Sequence, residues 1–134
     1  MLSEETKKEL IRLSKIKKYY FQTDKNQSSV YYQSKCGDQI TFKINEIKEK
    51  IRLQYNAHGC IILLSSAYVL TKICNNKPRK AILEIITKII NQNFENLEEI
   101  DKSLKNFETF LYTNRKDCFT LPHKALKGIL NTIE

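Results

Sequence analysis

The chain has 134 residues, a formal charge of +8 and a pI of about 9.3; 41% of residues are apolar, Trp is absent, and only 3 Gly and 2 Pro interrupt it. That length suffices for one domain with a core of its own, and so few Gly and Pro argue against a sandwich or barrel with its many turns. The longest apolar stretch, residues 60–64, runs into Ser65 and Ser66 and is too short to span a bilayer, and the charged start at residues 1–8 lacks the apolar segment of a secretory leader.

Ser3 can cap a first helix, with Glu4 and Glu5 favourably placed in its opening turn. Leu10, Leu13, Ile16 and Tyr20 recur at steps of three or four, so a helix over 3–20 is expected. After a polar stretch at 22–29, two runs bracket Cys36-Gly37-Asp38. In the second, Ile40, Phe42 and Ile44 alternate with polar residues, which predicts a β-hairpin over 30–44. From Asn45 the spacing of Ile44, Ile47, Ile51 and Tyr55 suits one helical face, so a helix over 45–58 is expected, with Gly59 ending it or lying inside a longer one.

Residues 61–73 are apolar on most sides, as a helix buried all round would be. Asn75-Asn76-Lys77-Pro78 is a break, and Pro78 suits the start of the next helix, whose inner stripe is Ile82, Ile85, Ile86, Ile89 and Ile90. Leu97, Ile100, Leu104, Phe107 and Leu111 form a bundle-like seam. A turn at 114–117 then precedes a last helix opened by Thr120-Leu121-Pro122, with Ala125, Leu126, Ile129, Leu130 and Ile133 inward. The expected fold is α+β, mostly α: a single domain over 1–134 with a helix at 3–20, a hairpin at 30–44 and a bundle of about four helices over 45–134.

Charge is uneven along the chain. Residues 1–92 carry 17 Lys and Arg against 8 Asp and Glu, whereas residues 93–111 carry 2 against 5. Lys8, Arg12, Lys15 and Lys18 form a basic strip on the first helix, close in sequence to Tyr19, Phe21, Tyr31 and Tyr32, and such a pairing can track a phosphate backbone and stack on bases. The same aromatics also suit core packing. Lys77, Arg79 and Lys80 cluster at a helix N-terminus, where free N–H groups and cations suit a phosphate; the alternative is a solvated charged end.

Arg52-Leu-Gln-Tyr-Asn-Ala-His58 resembles the Arg and His, four to six residues apart, of HEPN-type ribonucleases. That resemblance covers seven residues and implies metal-independent RNA cleavage, with His58 in acid/base transfer and Arg52 on the scissile phosphate. It departs from the family at Leu53, where a polar residue commonly follows the Arg. Cys36, Cys60, Cys74 and Cys118 are far apart, and no closely spaced pair fixes half of a zinc site. They read as reduced packing thiols, Cys60 and Cys74 in the most apolar helix, and could ligate a metal only if distant segments converged.

The function expected from these features is a non-catalytic, sequence-tolerant nucleic-acid-associated subunit, RNA- or DNA-binding, within a larger cytoplasmic or nuclear assembly. Its contacts would be Lys8, Arg12, Lys15, Lys18, Lys77, Arg79 and Lys80. A helical adaptor or oligomerisation module is the alternative, with protein contact or self-association through an acidic helix at 95–111, and the HEPN-like nuclease is the third. No metal site, cofactor or membrane contact is assigned.

Overall fold

The computed structural model describes residues 3–22, 32–33, 37–91, 97–110, 113 and 115–132. The fold is α+β and mostly helical. In chain order it comprises α1 (Glu4–Ser14), β1 (Tyr32–Gln33), β2 (Gln39–Ile47), β3 (Lys50–His58), α2 (Ile61–Cys74), α3 (Arg79–Asn91), 3-10 helices at Leu97–Glu99 and Lys102–Phe110, and α4 (Lys116–Thr132). The strands form an antiparallel sheet in the order β1-β2-β3.

Helix α1 begins as the sequence implies, the Ser3 hydroxyl accepting the Thr6 N–H at 3.1 Å. It stops at Ser14 rather than continuing to residue 20, because the next residues turn to meet the sheet. The Tyr55 N–H donates to the Tyr19 carbonyl at 2.9 Å and the Phe21 N–H to the Tyr55 carbonyl at 3.0 Å.

The largest departure lies at 45–58, which is not helical. Ile51, Leu53, Tyr55 and Ala57 are buried at alternate positions, the period of a strand with one covered face. Ile47 and Lys50 are paired across a two-residue turn whose members, Lys48 and Glu49, both have positive φ (52° and 66°). Such a turn matches the twist of a hairpin but ordinarily draws Asn and Gly. Of the expected 30–44 hairpin, the described part is Tyr32 opposite Ile40 and Gln33 opposite Gln39.

An open edge on β3 would expose unpaired backbone groups, and two segments cover it, residues 19–21 and 75–77. Residues 19–21 pair at Tyr55. At Ile51 the N–H donates to the Lys77 carbonyl (2.9 Å), and the carbonyl accepts from the Asn76 N–H (2.8 Å). Between these, the Asn75 side-chain amide acts as a substitute strand: its Oδ1 accepts the Leu53 N–H (3.3 Å) and its Nδ2 donates to the Leu53 carbonyl (3.2 Å).

Helix α2 is the centre of the core, buried at Ile62, Leu63, Ala67, Val69, Leu70, Ile73 and Cys74 and packed against α1, β3 and α4. Its hydroxyls do not go unsatisfied. Ser65 donates to the Ile61 carbonyl and Thr71 to the Ala67 carbonyl, each at 2.7 Å, whereas Ser66 reaches across to the Phe119 carbonyl of α4 at 2.7 Å. Helix α3 presents Ile82, Ile86 and Ile89 inward as expected. The seam at 97–110 buries Leu97, Leu104 and Phe107 but is wound as tighter 3-10 turns. Helix α4 starts a turn earlier than the proline suggests, so Pro122 lies inside it and cannot donate to the Cys118 carbonyl. Among the described residues no helix is long and apolar enough to cross a membrane.

Two outcomes are expected. Asn75→Ala leaves the Leu53 N–H and carbonyl unpaired at a half-covered edge and should destabilise the protein by about 1–3 kcal/mol, measurable by urea denaturation; an unchanged midpoint would show that water replaces the amide at no cost. His123 is wholly buried, and burial lowers its pKa from 6.5 to about 4. Protonation therefore favours the unfolded chain: stability is complete above about pH 6.5 and falls, by up to about 3 kcal/mol, as pH drops through 4. Replacing His123 by Phe should flatten that window in a pH series of denaturation midpoints.

Candidate metal centre

At the end of the β2–β3 hairpin away from its tight turn, three chain segments meet. Asp38 directly precedes β2, Cys60 is the N-cap of α2, and Cys118 lies in the first turn of α4. The hairpin register brings the first two together: Gln39 is paired with His58, so Asp38 and the Gly59–Cys60 step lie side by side. The Cys60 N–H donates to Asp38 Oδ1 at 3.3 Å and the Cys60 thiol to Asp38 Oδ2 at 3.5 Å. Gly59 makes this approach possible, since a Cβ there would strike the Asp38 carboxyl and lie 2.7 Å from Leu63 Cδ2. The carboxylate and the Cys60 and Cys118 sulfurs all lie within 4.8 Å of one another.

This donor set has the chemistry of a metal site. Asp38 is 6% exposed and Cys118 5% exposed, while Cys60 is partly open and is flanked by exposed Gly59 and Ile61. A buried carboxylate is costly unless paired, and no ion pair to Asp38 occurs among the described residues. Burial, together with hydrogen bonds to Asp38 and Cys60, pushes the Cys118 thiol well above its ordinary pKa. A bound cation reverses that balance by taking the thiolate as ligand and neutralising the carboxylate. Both sulfurs also stand at helix N-termini, where the dipole favours thiolate. The residues present therefore fit a thiophilic cation: two sulfurs and one oxygen, with one side open.

The distant segments do converge, but not as a metal-free reading of the cysteines expects. Cys60 belongs to the cluster together with Cys118 and Asp38. Cys74 is the packing thiol, buried at the other end of α2, about 20 Å along the helix; burial pushes its pKa up to about 12. Cys36 lies outside the described residues. Sequence reasoning passed over Asp38 as a turn residue, although the glycine-linked pairs Cys36-Gly37-Asp38 and Gly59-Cys60 were the signals available.

The basic residues singled out in the sequence lie on α1 and the segment after it, and on the turn into α3 and the start of that helix. Lys8 is exposed on α1 and Arg12 is paired with Glu9 at 2.5 Å. Lys15 caps the C-terminus of α1, and Lys18, beyond the helix, sits over the Tyr19 ring at 5.4 Å. Lys77 donates to the Ile73 carbonyl at the C-terminal end of α2, while Arg79 and Lys80 border a shallow groove on α3 that also contains Glu84. The aromatics pack: Tyr19 stacks on Tyr68 (5.8 Å), and Tyr20 meets Tyr55 edge-on (6.0 Å). Tyr31 lies outside the described residues. Arg52 and His58 are six residues apart on a strand, roughly 20 Å, so they share no site and the HEPN resemblance fails. Of the acidic segment, Glu98 and Glu99 are exposed on 3-10 turns rather than on a helix; Glu95 is outside the described residues.

Comparison with known proteins overturns the nucleic-acid and ribonuclease readings. Residues 17–128 match the model of the NifU-like N-terminal domain. An uncharacterized protein of Borreliella burgdorferi is 55% identical over 133 residues, covering 98% of this chain and 94% of that protein. A crystal structure from Fervidobacterium islandicum, assigned as an iron–sulfur cluster assembly scaffold protein for the SUF system, superposes with a TM-score of 0.78 at 26% identity, covering 96% of this chain and 95% of that one. A nitrogen-fixing NifU-like protein (N-terminal) from Brucella abortus shares the fold, with a TM-score of 0.73 at 16% identity over 94% of this chain and 92% of that one. The chain belongs to the NifU-like N-terminal domain family.

Proposed function

We propose that the protein is a non-catalytic scaffold on which an iron–sulfur cluster is assembled and from which it is passed on. The observation that carries this reading is the convergence of Asp38, Cys60 and Cys118 within 4.8 Å, at the starts of three different elements. Iron in such clusters is held by cysteine thiolates. Cys36 is the further donor in this reading, because only Gly37 separates it from Asp38 in the sequence.

The mixed donor set suits a cargo site better than a permanent one. A carboxylate oxygen is a harder ligand than a thiolate and a poorer match for cluster iron, so a site in which Asp38 stands among cysteines holds its cargo less firmly than four thiolates would. The Cys60 thiol donates to Asp38, and ligation exchanges that proton for the cation, releasing it through the open side. The exposed rim at Gly37, Gly59 and Ile61 gives a sulfur donor and a cluster acceptor access from one side. Under this reading the partners are those proteins rather than nucleic acid.

The expected outcome is that the purified chain binds about one equivalent of zinc and, incubated anaerobically with ferric iron and sulfide, develops visible sulfur-to-iron charge-transfer absorption. Cys60→Ser, Cys118→Ser and Asp38→Ala should each weaken zinc binding by more than the roughly 10–100-fold typical of supporting residues. Zinc affinity should rise with pH as the thiols give up their protons. Wild-type protein that holds neither zinc nor cluster, or variants that hold both as firmly, would overturn the proposal.

A further inference from the structure

We propose that Ser66 and His123 are positioning residues that fix the Cys118 thiol relative to Asp38 and Cys60, by clamping the carbonyl of the residue after it. This rests on the metal-binding reading of the cluster.

Asp38 and Cys60 are brought together by the hairpin register and by a backbone hydrogen bond. Cys118 comes from a segment 58 residues further along. Its thiol contacts with Asp38 and Cys60 are the ones that ligation replaces, so they cannot hold it in place for a ligand. The first turn of α4 is itself weakly laced: Pro122 has no N–H to give the Cys118 carbonyl, and the Cys118 N–H closes a three-residue turn on Arg115 (3.1 Å).

Side chains brace that turn instead. Ser66 donates its hydroxyl hydrogen to the Phe119 carbonyl at 2.7 Å, a bond spanning 53 residues between two fully buried groups. Ser66 lies on α2, six residues beyond its N-cap Cys60, so the bond ties the Phe119–Thr120 peptide unit, one residue beyond Cys118, to the helix that carries Cys60. His123 Nδ1 meets the same carbonyl at 3.1 Å, while Nε2 is buried with no hydrogen-bond partner among the described residues. An acceptor carbonyl requires a proton on Nδ1, so the ring is the neutral tautomer with Nε2 bare. Phe107, stacked on Phe119 at 4.7 Å, closes the remaining side. Metal–ligand distances tolerate about 0.2 Å; a turn freed from this clamp would misplace the sulfur by more than that.

The test is anaerobic titration of the full chain with cobalt(II), read by its thiolate charge-transfer and ligand-field bands. Ser66→Ala should lower cobalt affinity about 10–100-fold, the usual range for supporting residues, and weaken the ligand-field bands as the geometry distorts. Ser66→Thr keeps the hydroxyl and should restore both. Ser65→Ala is the control: Ser65 is equally buried on the same helix, but its bonds stay within α2, so affinity should match wild type. Should Ser66→Ala fail to fold, His123→Phe removes the second donor at similar ring volume and should lower affinity in the same direction. Equal cobalt binding by Ser66→Ala and wild type, or equal loss in Ser65→Ala, would overturn the positioning role while leaving the metal site standing. Wild-type protein that binds no cobalt would overturn both.

Discussion

A carboxylate buried without an ion pair among the described residues, at the open end of a two-stranded hairpin, is the constraint around which the functional end of this molecule is arranged. Asp38 gains one backbone N–H and the contacts of the Cys60 and Cys118 thiols, which are weak donors, and together these fall short of what several kcal/mol of lost hydration would require. The neighbouring geometry follows from accommodating it: glycine at 59 because any side chain would strike the carboxyl, Cys60 as N-cap because its N–H is turned to Asp38, and an exposed rim through which a cation can enter. The remainder of the fold holds this end in place. Helix α2 carries one cysteine and anchors the segment bearing the other, while residues 19–21 and 75–77 seal the far edge of the hairpin.

Much of that frame is legible from residue patterns. The N-cap at Ser3, the all-round apolar helix at 61–74, the break at 75–78 and the Ile stripe of α3 each follow from a local rule that the packing obeys. The misreading at 45–58 has a specific origin. Ile47, Ile51 and Tyr55 satisfy a helical spacing, and Ile51, Leu53, Tyr55 and Ala57 satisfy a strand spacing. The turn that would decide between them is Lys48-Glu49, residues that take positive φ without advertising it. Pro122 misled by the same logic: a proline usually opens a helix, but here it lies in the second turn.

The donor cluster was legible only in fragments. Each cysteine in isolation looks like a small core residue, and by burial Cys118 and Cys74 are alike. What distinguishes them is convergence across 22 and 58 residues of sequence, which depends on hairpin register and on the α2–α4 contact rather than on any local spacing. The positive charge misled for the complementary reason. Net charge is summed over the chain, whereas a phosphate surface needs contiguity, and Arg12 and Lys77 are already committed to Glu9 and the Ile73 carbonyl.

The central claim is that Asp38, Cys60 and Cys118 bind one metal ion together. Zinc K-edge X-ray absorption on protein loaded with one equivalent measures this directly. The result predicted is a shell of sulfur at about 2.3 Å with oxygen at about 2.0–2.2 Å, losing one sulfur in Cys118→Ser and one oxygen in Asp38→Ala. A shell of oxygen and nitrogen alone, or one unchanged in those variants, would contradict it.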